Sequence, residues 1–342
     1  MLANIVLVFL WGGITAYVLL GGADFGAGFW DLLAGSATTG KARRQRIAES
    51  IGPVWEANHV WLIFALVVTW TGFPTVFASI ASTLYIPLTI VAFGVILRGS
   101  AFAFRKTVTE VAIQRIFGVS FALSSVITPF FLGMIAGAIA SGRVPLGLAQ
   151  GNVIGSWLNP TSVMGGALAV EVAAYLAAVY LIRDCDRAGD LEMAAYFRTR
   201  ALVMGVVTGL TALLGIAVLR ADAPLLYNGL THHGLPLVVL SAVFGAFSLV
   251  LLVRGNHVAV RITAALAVVS VLWAWGVAQY PDILSGTVTV NAAAAPQATL
   301  VVLVITLAVG TALLIPSLLL LYGLQATPTP STRNRDLPDA HS

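Results

Sequence analysis

The sequence predicts an all-α, polytopic integral membrane protein with about nine transmembrane helices. Three observations predict it. The 342 residues are 59% hydrophobic and only 9% charged, whereas a soluble domain is about 25% charged. Mean hydropathy is +0.95. Apolar runs of spanning length recur along the whole chain, joined by short charged links. They fall at 4–22, 50–71, 75–97, 112–140, 156–182, 195–219, 235–253, 261–280 and 298–323.

Charge tests the count. With the N-terminus outside, only Arg143 and Arg220 fall in outer segments, which leaves 16 of the 18 basic residues on the inner side. That is the positive-inside pattern, and one span more or fewer would scramble it. The C-terminus is then cytoplasmic. The net charge of +4 belongs to these links and gives no reason to expect nucleic acid. Cys185 is the single cysteine, which excludes a disulfide framework and any multi-cysteine metal or iron–sulfur site. The N-terminus lacks a basic region and a small-residue cleavage site, so it reads as a first helix rather than a signal peptide.

The first span runs into Gly21-Gly22-Ala23-Asp24-Phe25-Gly26-Ala27-Gly28. Glycines there allow either a close backbone approach or a break in the helix. No strand precedes them, which excludes a dinucleotide fold. Asp24 sits at the inner end of this span, either bonded to nearby backbone or serving a function.

The second span is the most informative. Ser50 can cap it and Pro53 suits its first turn. Within it stand Glu56, Asn58 and His59, flanked by Trp55 and Trp61. An ionisable group in hydrocarbon costs at least a few kcal/mol, so it faces protein or water and usually marks a proton, ion or substrate path. Glu56 and His59 are three apart and share a helix face. They serve either such a path or a polar lock between helices. At 1.5 Å per residue, Glu56 lies about 9 Å in from Ser50, in the inner third of the membrane.

The third span ends at Arg98 and Arg105, which mark the inner surface. Arg98 can also pair with Asp24 or Glu56. Arg105 and Lys106 suit lipid phosphate. The fifth span opens on Asn159-Pro160, a helix start. It carries a second intramembrane acid, Glu171, which is either functional or a neutral acid bonded across helices. The outer loop 281–297 is polar in its middle, and the tail 327–342 reads as disordered and cytoplasmic.

Of five histidines, only His59 lies in a span; His232, His233, His257 and His341 lie in loops or the tail. A haem held by two axial histidines needs two at matching depth, which this chain does not supply. No metal site is expected.

These residues resemble a known family. The glycine–acid run around Asp24 is similar to the motif ending the first helix of cytochrome bd quinol oxidase subunit II. Pro53-Val-Trp55-Glu56-Ala-Asn58-His-Val-Trp61-Leu resembles its most specific motif. Phe73-Pro74, Arg98 with Phe102 and Arg105, Asn159-Pro160, Tyr280-Pro281 and Pro296 follow in the family's order. Ala103 and Gly21 stand where many members carry acids.

The resemblance implies two four-helix bundles, about 1–142 and 156–326, plus a peripheral helix. It implies a haem-bearing subunit I holding haem b and haem d, with a small single-helix subunit as a further partner. The complex would oxidise quinol and reduce dioxygen to water in the bacterial plasma membrane. This chain would bind no haem. Glu56, Asp24 and His59 would conduct protons, while Trp55, Asn58 and Arg98 would contact a structural quinone or the partner. An alternative from the residues alone is a secondary transporter coupled through Glu56, His59 and Glu171.

Overall fold

The computed structural model describes residues 1–36, 38–51, 55–105 and 110–326; at 51, 55, 56, 105, 111, 112, 114, 321, 322 and 324–326 it describes the backbone alone. The tail 327–342, expected to be disordered, lies outside the described residues. The chain is built of helices: α1 (Leu2–Ala16), α2 (Gly22–Leu32), α3 (Lys41–Ile51), α4 (Trp55–Gly72), α5 (Pro74–Thr83), α6 (Tyr85–Arg105) and α7 (Val111–Ala140). There follow α8 (Pro160–Arg187), α9 (Leu191–Asp222), α10 (Pro224–Thr231), α11 (Leu235–Arg254), α12 (His257–Gln279) and α13 (Gln297–Ala326). Among the described residues, 8 helices are long and apolar enough to cross a membrane, or 9 if the bent pair α4–α5 is one span.

Three boundaries differ from expectation. The first span does not end at Asp24. A π-helical turn, Tyr17–Gly21, joins α1 to α2, and the helical path runs on to Leu32. The third span does not start at 75, because Pro74–Thr83 is a short helix bent 118° from α4. Phe73 at its head leaves the helical region and Pro74 occupies its first turn, where a missing N–H is tolerated. Ser50 does not cap α4 but closes α3. A fourth difference is a small antiparallel hairpin, β1 (Asp282–Leu284) and β2 (Val288–Thr289), inside the outer loop.

Helices in a bilayer gain little from apolar burial against each other, since lipid is equally apolar; close packing of small residues holds them. The α2–α8 contact follows this rule. A Cβ on Gly26 would lie 1.8 Å from the Ala173 carbonyl oxygen, so the two backbones touch. Trp30 Nε1 then donates to the Ala174 carbonyl at 2.8 Å. Gly26 and Gly28 of the Asp24 motif thus serve close approach, and the helix runs through them unbroken. One buried cluster joins Trp30, Phe121, Leu176 and Phe197 from α2, α7, α8 and α9. A second joins Val6, Phe73, Leu84, Leu284 and Leu303.

Asn159 begins α8 as expected. Its side chain accepts from Ser162 N at 2.9 Å, with Pro160 in the first turn. Asn159→Ala should cost about 1 kcal/mol, read as a small drop in the unfolding midpoint of the purified protein.

The two ends of α9 locate the polar links. Near its start, Arg46 pairs with Asp190 at 3.7 Å, and the Arg43 guanidinium lies 4.1 Å from the Tyr196 ring centroid. Arg198 donates to the Val253 carbonyl at 2.5 Å. At its far end, Arg143 forks onto Asp222 at 2.9 and 2.6 Å. Asp222 also accepts from the Thr161 hydroxyl at 2.6 Å. The basic links 41–46, 183–200 and 253–261 therefore share one end, opposite Arg143.

Candidate functional site: a buried acid, amide and guanidinium

The site is built where α2, α4, α6 and α7 meet. Asp24, Asn58 and Arg98 are 6%, 3% and 1% exposed. Asn58 Nδ2 donates to Asp24 Oδ2 at 2.6 Å and lies 3.4 Å from the Leu20 carbonyl. Leu20 belongs to the π turn, and such turns inside α-helices are frequent at functional sites. Arg98 Nη2 donates to the main-chain carbonyl of Asp24 at 2.7 Å, and its Nε to Ser125 Oγ at 3.1 Å. Ser125 in turn donates to the Phe121 carbonyl at 2.6 Å. The guanidinium lies 4.6 and 5.1 Å from the Phe25 and Phe121 ring centroids, a cation–π setting strengthened by desolvation.

His59 packs edge-on to Phe25 at 5.7 Å and tilted to Tyr17 at 6.2 Å between centroids. The Arg98 charge acts on Asp24, Tyr17 and His59. Among the described residues, Tyr17 Oη and Arg98 Nη1 are buried without a hydrogen-bond partner. An acid, a phenol and an imidazole around one fixed cation can orient, hold and pass a proton.

Of the residues expected at a site, the structure brings together Asp24, Asn58, His59 and Arg98. One expectation needs correction. Arg98 does not mark a surface: its side chain turns into the helical core, against Asp24, Ser125 and two rings. Asn58 is likewise enclosed. Trp55 and Glu56 open the backbone of α4, but their side chains lie outside the described residues. Glu171 has its own partner, as Thr211 on α9 donates to its Oε1 at 3.0 Å.

Sequence reasoning missed Tyr17, Phe25 and Ser125. One signal bears on Tyr17, a phenol in the apolar run just before the Asp24 motif, whereas Ser125 is one of several polar residues in the span 112–140.

The fold and site together define a multi-span helical membrane protein with a charged cluster walled off from lipid. The family model described as cytochrome bd terminal oxidase subunit II matches residues 2–325. The chain is 29% identical over 239 residues to cytochrome bd ubiquinol oxidase subunit 2 of Bacillus subtilis, covering 68% of each chain. It is 26% identical over 242 residues to cytochrome bd-I ubiquinol oxidase subunit 2 of Escherichia coli K12, covering 67% of this chain and 62% of that one. A chain of the bd oxidase structure from Geobacillus thermodenitrificans superposes with a TM-score of 0.80 at 27% identity, covering 95% of this chain and 98% of that one. The chain belongs to the cytochrome bd terminal oxidase subunit II family. The transporter alternative finds no support in this membership.

Proposed function

We propose that this chain is the haem-free subunit II of a quinol:oxygen oxidoreductase. In this reading it braces a haem-bearing subunit I and delivers protons toward it for the reduction of dioxygen to water. The observation that carries the reading is the burial of Asp24 with Asn58 and Arg98 inside the helices. Charge kept in a membrane core is expensive and marks a path by default. Glu56 precedes Asn58 by two residues on α4, and Asn58 binds Asp24. Asp24 and Glu56 then act as successive stations, with Arg98 setting the field and His59 beside them.

The histidines support haem in the partner. His59 is packed by two aromatic rings, His232 and His233 follow α10, and His257 begins α12. Paired axial imidazoles at one depth are not available from these positions. For the partner, α4 and α6 offer outward apolar faces: Val60, Ile63, Phe93 and Ile96 are 46–62% exposed. Trp55 is the candidate quinone contact. The clustered basic links support an inner face in the cytoplasm, which puts the N-terminus outside and the C-terminus inside a bacterial plasma membrane.

The test uses the whole complex. Asp24→Asn and Glu56→Gln should each slow oxygen consumption by on the order of 100-fold, the range for losing a positioned proton-transfer group. Rates are taken per haem in the complex that assembles, and the haem optical spectrum of Glu56→Gln should stay unchanged. Full turnover in both variants would remove the proton role.

A further inference from the structure

A second polar site lies apart from the Asp24 cluster, at the basic end of the structure. The last turn of α8, the α11–α12 turn and the start of α12 enclose an open cleft of about 560 Å³. Its walls carry Arg183, Arg187, Arg254, Asn256 and His257. The turn is sharp because Gly255 adopts φ +75°, the left-handed region where glycine pays no steric cost. That turn sets Arg254 and His257 at the mouth of one cleft. Asn256 accepts from Ala259 N at 3.3 Å as the cap of α12.

The charges are unevenly satisfied. Asp186, the one acid on the wall, is engaged by His257 Nδ1 at 2.5 Å. Asp184, two residues earlier on α8, feels the charges of Arg261, Arg187 and Arg183. Among the described residues, the side chains of Arg183, Arg187 and Arg254 donate no hydrogen bond and stand in no ion pair within 4.0 Å. Three guanidiniums therefore face a cleft whose own acid is already held.

Guanidinium forks match phosphate oxygens in geometry and charge. We propose that this cleft binds a phosphate group at the membrane surface. All three elements are ends of spanning helices, so the cleft lies at headgroup level, where basic pockets between helices hold anionic headgroups. Just along α11 and α12, Val253, Val258 and Ile262 are 54–63% exposed, a track for acyl chains beneath a bound head. An anionic phospholipid fits both features, whereas free phosphate would use the guanidiniums alone.

The experiment uses the intact oxidase complex in detergent, stripped of lipid. Binding of a short-chain phosphatidylglycerol, of short-chain phosphatidylcholine and of inorganic phosphate is followed by native mass spectrometry and by shift of the melting temperature. Arg187 and Arg254 are exposed, so R187Q/R254Q should fold. It should bind phosphatidylglycerol on the order of 30-fold more weakly, two arginines at about fivefold each. R115Q, an exposed arginine elsewhere, should bind as wild type. Tight phosphatidylglycerol binding with weak phosphate binding supports the lipid source. Equal competition by inorganic phosphate supports a free-anion source. Absent binding of both anions, or equal binding by wild type and R187Q/R254Q, overturns the site. Oxygen consumption by the Asp24 and Glu56 variants is independent of this result.

Discussion

Arg98→Met is expected to strip the subunit from the membrane. The guanidinium satisfies the Asp24 carbonyl and the Ser125 hydroxyl, and lies against the Phe25 and Phe121 rings. Its neighbour Asp24 is 6% exposed. Removing one member of a buried charge set costs about 3–5 kcal/mol, because the remaining charge stays buried and uncompensated. That is a large share of a stability of about 5–15 kcal/mol. The loss is read as subunit abundance in membranes and as the melting temperature of whatever complex survives. Asp24→Asn combined with Arg98→Met should regain part of it, since both charges leave together. A double variant as unstable as Arg98→Met alone would show that the ring contacts and Ser125, rather than charge balance, are what Arg98 supplies. Arg98→Lys should restore less than full stability, because a point charge on a flexible stem cannot bond two divergent acceptors as the planar fork does.

Gly26→Val is the second large effect. Any Cβ there would stand 1.8 Å from the Ala173 carbonyl oxygen, and the obstacle is backbone rather than a side chain that can rotate. Helices α2 and α8 would have to separate, breaking the Trp30 to Ala174 bond as well. Overpacking usually costs about 1–3 kcal/mol, and a clash with fixed main chain lies at or beyond the top of that range. Gly22→Ala is the matched control, since nothing lies within 4 Å of a Cβ at that position. The measurement is the melting temperature of the two variants side by side: a large drop for Gly26→Val and little change for Gly22→Ala.

Most spans were legible because each is a long apolar run, and length alone separates such runs from links. The Asp24, Asn58 and His59 cluster was legible for the converse reason, since polar groups stand out in an apolar background. Arg98 was misread. A basic residue at the end of an apolar run looks the same whether it faces water or turns inward, and only the acid and rings on other helices decide. The bend at Phe73-Pro74 was hidden because α5 continues the apolar composition of its neighbours. Ser125 could not be distinguished from serines that merely bond their own helix, which it also does. The π turn left no trace, since Tyr17–Gly21 is as apolar as the residues around it.

That turn has a consequence for the whole first span. An ordinary helix advances about 100° per residue. A turn wound one residue wider resets the angular phase between the stretch before it and the stretch after it. The residues of α1 that meet α13 and α4, and those of α2 that meet α7 and α8, are thereby aimed independently along one continuous rod. Were the winding made regular with every residue kept, Asp24 would swing by about 100° to another compass point while the upper half of the rod kept its seat.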